Sequence, residues 1–229
     1  MGLDDLRDEY DDRANDIFEM ISLASELYDK MEDEDNPLSP DTLSSLQNKV
    51  NIIKSSIHMM LYNQVENTAR GCIESVYDHL HDNQIMYSSL KEKFQINILH
   101  RIISDNDTGQ KLYQKIGNDI SKKIIKASMN IRKEFNGNIS KTVIYKVTQA
   151  YGIIVADSPE CRNGIDLDLL KDIRNDLAHG NTSFSKKGQL DTLEAVSERA
   201  QRIDTYLRLL ISATEDYIAS SGYLSVQHA

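Results

Sequence analysis

The most pointed chemistry in this chain sits in one short string, Arg174-Asn175-Asp176-Leu177-Ala178-His179-Gly180. An arginine stays charged and offers a planar fork to phosphate or carboxylate oxygens. A histidine titrates near neutral pH and can give or take a proton. Five positions at ~100° per residue set the two side chains roughly 140° apart, so a straight helix does not aim both at one point. His179 directly precedes Gly180, where a helix should end and the backbone can turn. The ring can swing back toward Arg174, or the pair can line a groove formed with another chain. Arg and His near a helix C-terminus also complement the helix dipole, and spacing alone leaves that reading open.

Further polar residues are candidates for support. Asp172 and Asp176 flank Arg174; they orient it, or they pair with Lys171 and Arg174 on a wet helix surface. Asn63 and Glu66 interrupt an apolar-periodic helix; they reach the motif helix, or they form an exposed polar face. His79 and His81 are two apart, about 200° on a helix, and do not chelate one ion together. Cys72 and Cys161 show neither zinc spacing nor a disulfide framework. The chain contains no G-x-x-x-x-G-K-[ST], G-x-G-x-x-G or G-x-S-x-G, so P-loop, dinucleotide-binding and α/β-hydrolase chemistry find no support. The expectation is a site without metal or cofactor.

The elements that must position these residues read as helices almost throughout. Leu3, Leu6, Tyr10, Ile17, Ile21, Ala24, Tyr28 and Met31 recur at helical steps, and Pro37 and Pro40 stop that segment. Pro40 also suits the first turn of a second, long helix. Its stripe runs through Leu46, Val50, Ile53, Ile57 and Met60 to Val65, Ala69, Cys72, Ile73, Val76 and Leu80. A third segment covers about 84–104 and a fourth about 110–135. On the fourth, Lys111, Lys115, Lys122, Lys126 and Lys133 fall within about 60° of one another, opposite an apolar face. Ser140 suits the cap of a short helix ending near Gly152, although KTVIYKV (141–147) is also the strongest strand candidate. The motif lies on a helix stopped by Gly180. A last helix of about 30 residues carries Leu193, Val196, Ala200, Ile203, Leu207, Leu210, Thr214 and Tyr217 at steps of three and four. The pattern predicts an all-α, up-and-down bundle.

Composition bounds the rest. The 229 residues are 40% hydrophobic and 27% charged, with 10 Gly and 3 Pro, which suits a helical globular chain and not a turn-rich β fold. The apolar runs are too short to span a bilayer and the acidic start is no secretory signal, so a cytoplasmic setting is expected. The net charge of −10 is unevenly spread. Residues 1–36 hold 14 acidic against 3 basic side chains, a net of −11, while 110–150 hold 9 basic against 2 acidic, a net of +7. A basic face attracts nucleic acid and an acidic one repels it, and both are also ordinary solvated helix faces. The expected organisation is an acidic helical segment over 1–36, a helical domain over 37–222 and a loose tail over 223–229.

The string RNDLAHG resembles the R-x4-6-H signature of the HEPN family, with a polar residue, Asn175, directly after the Arg. NTSFSKKG after it, with a Ser-Phe pair and a Gly, looks like one HEPN subgroup, as do YNQVE (62–66), FNGNIS (135–140) and Tyr151-Gly152 upstream. The resemblance implies a HEPN-like bundle and, for many members, a metal-independent ribonuclease acting as a toxin or antiviral effector. A 2′-OH would attack the adjacent phosphate, leaving a 2′,3′-cyclic phosphate and a 5′-OH. His179 would be the acid or base, Arg174 the transition-state clamp and Asn175 a polar orienter, supported by Asp176, Asn63 and Glu66. The lysine stripe would bind RNA. Because one His supplies one proton-transfer group, the resemblance implies a homodimer that pools two motifs, with an antitoxin or defence-system protein as a further partner. A HEPN-like bundle can instead serve as a non-catalytic dimeric adaptor, antitoxin-like partner or RNA-binding module.

Overall fold

A computed structural model describes residues 2–104, 108–116, 120–128, 135 and 137–225, with the side chains of 104, 115, 116, 120–122 and 127 left aside. Nine α-helices run through the described residues: α1 (Leu3–Glu32), α2 (Pro40–Asp82), α3 (Glu92–Ser104), α4 (Gly109–Ile116), α5 (Ile120–Ser128), α6 (Lys141–Tyr151), α7 (Asp166–Ala178), α8 (Phe184–Gly188) and α9 (Leu193–Ala219). Extended pairing among them is limited to one bridge, Leu90 with Leu224. The fold is all-α, as the periodicity predicts.

Three long helices make the frame. α2 begins where Ser39 caps it and Pro40 fills its first turn, and its apolar stripe is buried from Val50 to Leu80. α9 buries Val196, Ala200, Ile203, Leu207, Leu210, Thr214 and Tyr217, the whole seam read from the sequence apart from its first residue. Each fully buried aliphatic side chain contributes roughly 1.5–3 kcal/mol, so this seam dominates the helix's stability. α1 runs antiparallel to both. Arg7 pairs with Glu215, Arg208 donates to Asp11 at 2.9 Å, Gln64 donates to the Tyr10 carbonyl at 3.4 Å, and Asn67 donates to Glu9 at 3.2 Å. α2 and α9 run parallel, as His58 meets Arg199 at 2.6 Å and Cys72 bonds Thr214 farther along.

α1 is thus part of the common core. Leu6, Tyr10, Ala14 and Ile17 are buried in the same cluster as Ile57, Leu61, Val65 and Leu207. Its charged face looks outward. Beyond α9 the chain is held as far as Ser225: Tyr223 is buried, Lys91 donates its N–H to the Tyr223 carbonyl at 2.8 Å, and Ser225 donates to Ser89 at 2.9 Å. Residues 226–229 lie outside the described part.

One sequence boundary shifts, and one open choice between helix and strand is decided for the helix. The third helix starts at Glu92 rather than near 84, because Gln84 sits at φ 52 and Leu90 pairs with Leu224. KTVIYKV is helical, not extended: the Ser140 hydroxyl accepts from Val143 N–H at 3.3 Å, and Gly152 closes α6 in the left-handed region. The fourth helical segment is described as α4 and α5. Its continuity through 117–119 and 129–134 lies outside the described residues.

Candidate functional site

α7 carries the motif, and three anchors fix it. At its start the buried Asp166 carboxylate accepts from Arg202 Nε at 2.7 Å, which ties the helix to α9. Along its length Leu167, Leu170, Ile173 and Leu177 enter the core. At its end Asp176 accepts from Lys187 Nζ at 2.6 Å, which ties it to α8. That hydrogen bond lowers the Asp176 carboxyl below its ordinary range. Asp176 therefore holds the segment after the motif, and Asp172 pairs with Lys171 at 3.2 Å.

Arg174 is half-buried and its guanidinium lies over the Tyr62 ring, 4.8 Å from the centroid. Nη1 donates to Asn175 Oδ1 at 2.9 Å, and Asn175 Nδ2 donates to Asn138 Oδ1 at 3.2 Å. Asn138 stands on a loop that Tyr62 also shapes. The Tyr62 hydroxyl donates to the Gly137 carbonyl at 2.7 Å and accepts from the Ile139 N–H at 2.9 Å. Gly137 has φ 78, a conformation that side chains rarely adopt, and lies against Arg174 Nη2. Burial raises the Tyr62 phenol, so it stays a neutral hydroxyl with both bonds intact. A cation over a ring is worth about 0.5–2 kcal/mol, and the planar stack fixes the orientation of the fork.

His179 ends the helix. Its N–H donates to the Asn175 carbonyl at 3.0 Å, Gly180 follows at φ 69, and the side chain is exposed. The arrangement thus holds a restrained guanidinium on the helix and an exposed imidazole five residues on, at the helix end.

The strings YNQVE and FNGNIS converge on the motif, through residues other than Asn63 and Glu66. Tyr62 of YNQVE touches Arg174; Asn63 beside it is exposed. Glu66 pairs with Arg70, whose Nη2 donates to the Phe135 carbonyl at 2.9 Å, so Glu66 acts on the loop rather than on the motif. In FNGNIS it is Gly137 and Asn138 that face the motif. Tyr62 reads as one more core position on α2 and Asn138 as a turn residue, so only the family-like strings around them marked them.

The segment after the motif docks on α2. Ser183 caps α8, Ser55 Oγ donates to the Phe184 carbonyl at 2.6 Å, and Ser185 bonds Asn48. Gly188 is buried, and a Cβ there would lie 1.9 Å from the Asn51 carbonyl oxygen. Beneath it is a buried polar cluster that the sequence did not mark. Lys54 Nζ donates to the Asp191 carbonyl at 2.7 Å, Arg199 Nη1 donates to Asp191 Oδ2 at 2.9 Å, and His58 touches Arg199. Burial and Arg199 hold the His58 imidazole down at about 4, so it is neutral. Burial would raise the Asp191 carboxyl, but Arg199 outweighs it and keeps it ionised.

Of the lysine stripe, Lys111 and Lys126 are exposed on α4 and α5. The side chains of Lys115 and Lys122, and all of Lys133, lie outside the described residues. His79 is engaged by the Tyr223 hydroxyl at 2.9 Å and by Asn83 at 3.2 Å. No group of three His, Cys, Asp or Glu suited to a metal ion occurs among the described residues. Both cysteines are buried and unpaired with each other, and burial pushes the Cys72 thiol up to about 12. No helix of the described residues is long and apolar enough to cross a membrane.

A family model for MAE_28990-like HEPN domains matches residues 3–223. The match takes in α1 as well as the motif helix. No curated protein and no solved structure matches the chain.

Proposed function

The chain belongs to the MAE_28990-like HEPN family, and from that premise we propose that it is a metal-independent endoribonuclease working as a homodimer. The observation that carries this reading is the restraint on Arg174, stacked on Tyr62 and bonded through Asn175 to Asn138, with exposed His179 five residues on. A guanidinium held in place before substrate arrives needs no reorganisation to grip a phosphorane-like transition state. His179 then moves a proton, either from the attacking 2′-OH or to the departing 5′ oxygen. The second proton transfer falls to His179 of a second copy. Exposure of the imidazole suits that role, since a buried one would be closed to a partner.

Lys111, Lys115, Lys122, Lys126 and Lys133 are proposed as the track for the RNA backbone, and counterion release would make affinity fall with salt. The proposed setting is the cytoplasm, in a toxin or antiviral role restrained by a partner protein. The test compares wild type with His179→Ala and Arg174→Ala on total RNA in EDTA. Cleavage by wild type alone, leaving 2′,3′-cyclic phosphate and 5′-OH ends, is the expected result. Equal behaviour of all three would overturn it in favour of a non-catalytic HEPN adaptor.

A further inference from the structure

An open groove runs along the pair formed by α1 and α2. Its floor is apolar, made by Met20 and Leu23 of α1 and Met60 of α2. Leu23 is exposed and the two methionines are half-buried. At ~100° per residue, half-buried Leu27 and Met31 continue the line of Met20 and Leu23 along α1. Met60 and Tyr62 are two residues apart, about 200° around α2, so the groove and the Arg174 site lie on different faces of that helix.

The rim has one sign of charge. Asp16, Glu19 and Glu26 stand along it, all exposed. Among the described residues no lysine or arginine lines the groove, and no ion pair to these three carboxylates forms. Lys30, one turn beyond Glu26, lies outside the lining. An occupant must therefore bring apolar side chains in a line and cations beside them. A nucleic acid brings the wrong charge. A second copy docked face to face about a two-fold axis would set these carboxylates against their own counterparts, and like charges so placed repel. An amphipathic helix with Lys or Arg beside its apolar stripe meets both demands. From Asp16 to Glu26 the groove spans ten residues, roughly 15 Å, or nearly three turns of such a helix. The two methionines on the floor are flexible enough to fit its side chains closely.

We infer that this groove docks a basic amphipathic helix of a different protein, its apolar residues on Met20, Leu23 and Met60 and its cations on Asp16, Glu19 and Glu26. The inference uses no residue of the motif. It goes beyond the cleavage reading and does not need it.

A fluorescence-anisotropy titration of the full chain tests it, at about 0.15 M salt. The probe is a labelled peptide of about 18 leucines and lysines with the leucines at helical spacing. Saturable binding is expected. A peptide of the same composition with the spacing scrambled should bind about tenfold more weakly or worse. Leu23→Ser, at an exposed position, should weaken binding by about fivefold or more, and so should Glu19→Gln with Glu26→Gln. Asp4→Asn with Asp8→Asn removes two charges that lie eight residues or more from Asp16, roughly 12 Å along α1 and beyond a screening length of about 8 Å. That pair should leave binding unchanged. His179→Ala should also leave it unchanged, which separates the groove from the motif whatever becomes of the cleavage proposal. No saturable binding, equal binding of the scrambled peptide, or an equal loss from the Asp4–Asp8 pair would overturn the site. So would a wild-type dimer in sedimentation that Leu23→Ser dissociates, because it would give the groove to a second copy.

Discussion

The Tyr62 phenol bonds two backbone groups of one loop while its ring carries Arg174, and these two contributions can be separated by substitution. Tyr62→Phe keeps the ring and removes the hydroxyl. The Gly137 carbonyl loses a donor and the Ile139 N–H, in a buried residue, loses its acceptor. A buried backbone group left without a partner costs roughly 1–3 kcal/mol, so the urea midpoint should fall correspondingly at unchanged slope. Tyr62→Leu should lose the stack as well, about 0.5–2 kcal/mol more, and should release the Arg174 fork. On the cleavage reading, Tyr62→Phe then lowers turnover by less than Tyr62→Leu does. A Tyr62→Phe variant with the wild-type midpoint would show that the loop is held by other interactions. The motif stood out in the sequence through its resemblance to the HEPN signature, since spacing alone left a plain helix end open. Its supports did not, because Tyr62 fits the apolar period of α2 and Asn138 fits a turn, and neither pattern records which distant side chain it will meet.

At the level of elements, α8 works as a plug between the motif helix and α2. Gly188→Ala would drive a Cβ into the Asn51 backbone, which cannot yield as a flexible side chain would. Overpacking of this kind typically costs about 1–3 kcal/mol, and the displacement would also loosen the Lys187–Asp176 bond that ends α7. On the cleavage proposal, a lowered melting temperature together with reduced RNA cleavage is the expected pair of readouts; a stability loss with unaltered cleavage would detach α8 from the site. Below α8, the His58 cluster predicts a pH dependence. The unfolded imidazole titrates near 6.5 and the folded one at about 4. Between those values the unfolded chain binds more protons, so stability falls as pH drops through that window, by up to about 3 kcal/mol. Urea unfolding at pH 7 and at about pH 4.5 should show the loss, and His58→Phe should flatten it. The helices around this cluster were largely legible, since their apolar stripes and caps are local signals. Lys54, His58 and Arg199 were not, because polar residues on an amphipathic helix read as its wet face until a partner helix covers them. The start of α3 shifted for a related reason: Leu90 pairs with Leu224, far beyond the reach of any local window.

Over the whole molecule, the acidic segment of the sequence is built into the frame as α1. Removing residues 1–36 would take Leu6, Tyr10, Ala14 and Ile17 out of the common core, so such a deletion reports on folding and not on charge. The exposed carboxylates can be neutralised without touching that core. Asp8, Asp12, Asp16 and Glu19 all lie on the outer face of α1. The net of −11 over residues 1–36 opposes the net of +7 over 110–150 in attracting a polyanion. If the chain binds RNA as proposed, Asp8→Asn, Asp12→Asn, Asp16→Asn and Glu19→Gln together should therefore tighten that binding several-fold at an ionic strength of about 0.05 M. The gain should vanish near about 0.5 M, where the screening length is shorter than the width of a helix. Lys111→Ala with Lys126→Ala should act in the opposite sense and reduce the slope of log affinity against log salt by up to about two, one for each phosphate that is no longer neutralised. A fluorescence-anisotropy titration with one RNA across that salt range reads both effects. If the quadruple neutralisation left the low-salt affinity unchanged while the lysine pair altered the slope, α1 would be a structural member of the bundle whose charge never reaches the RNA.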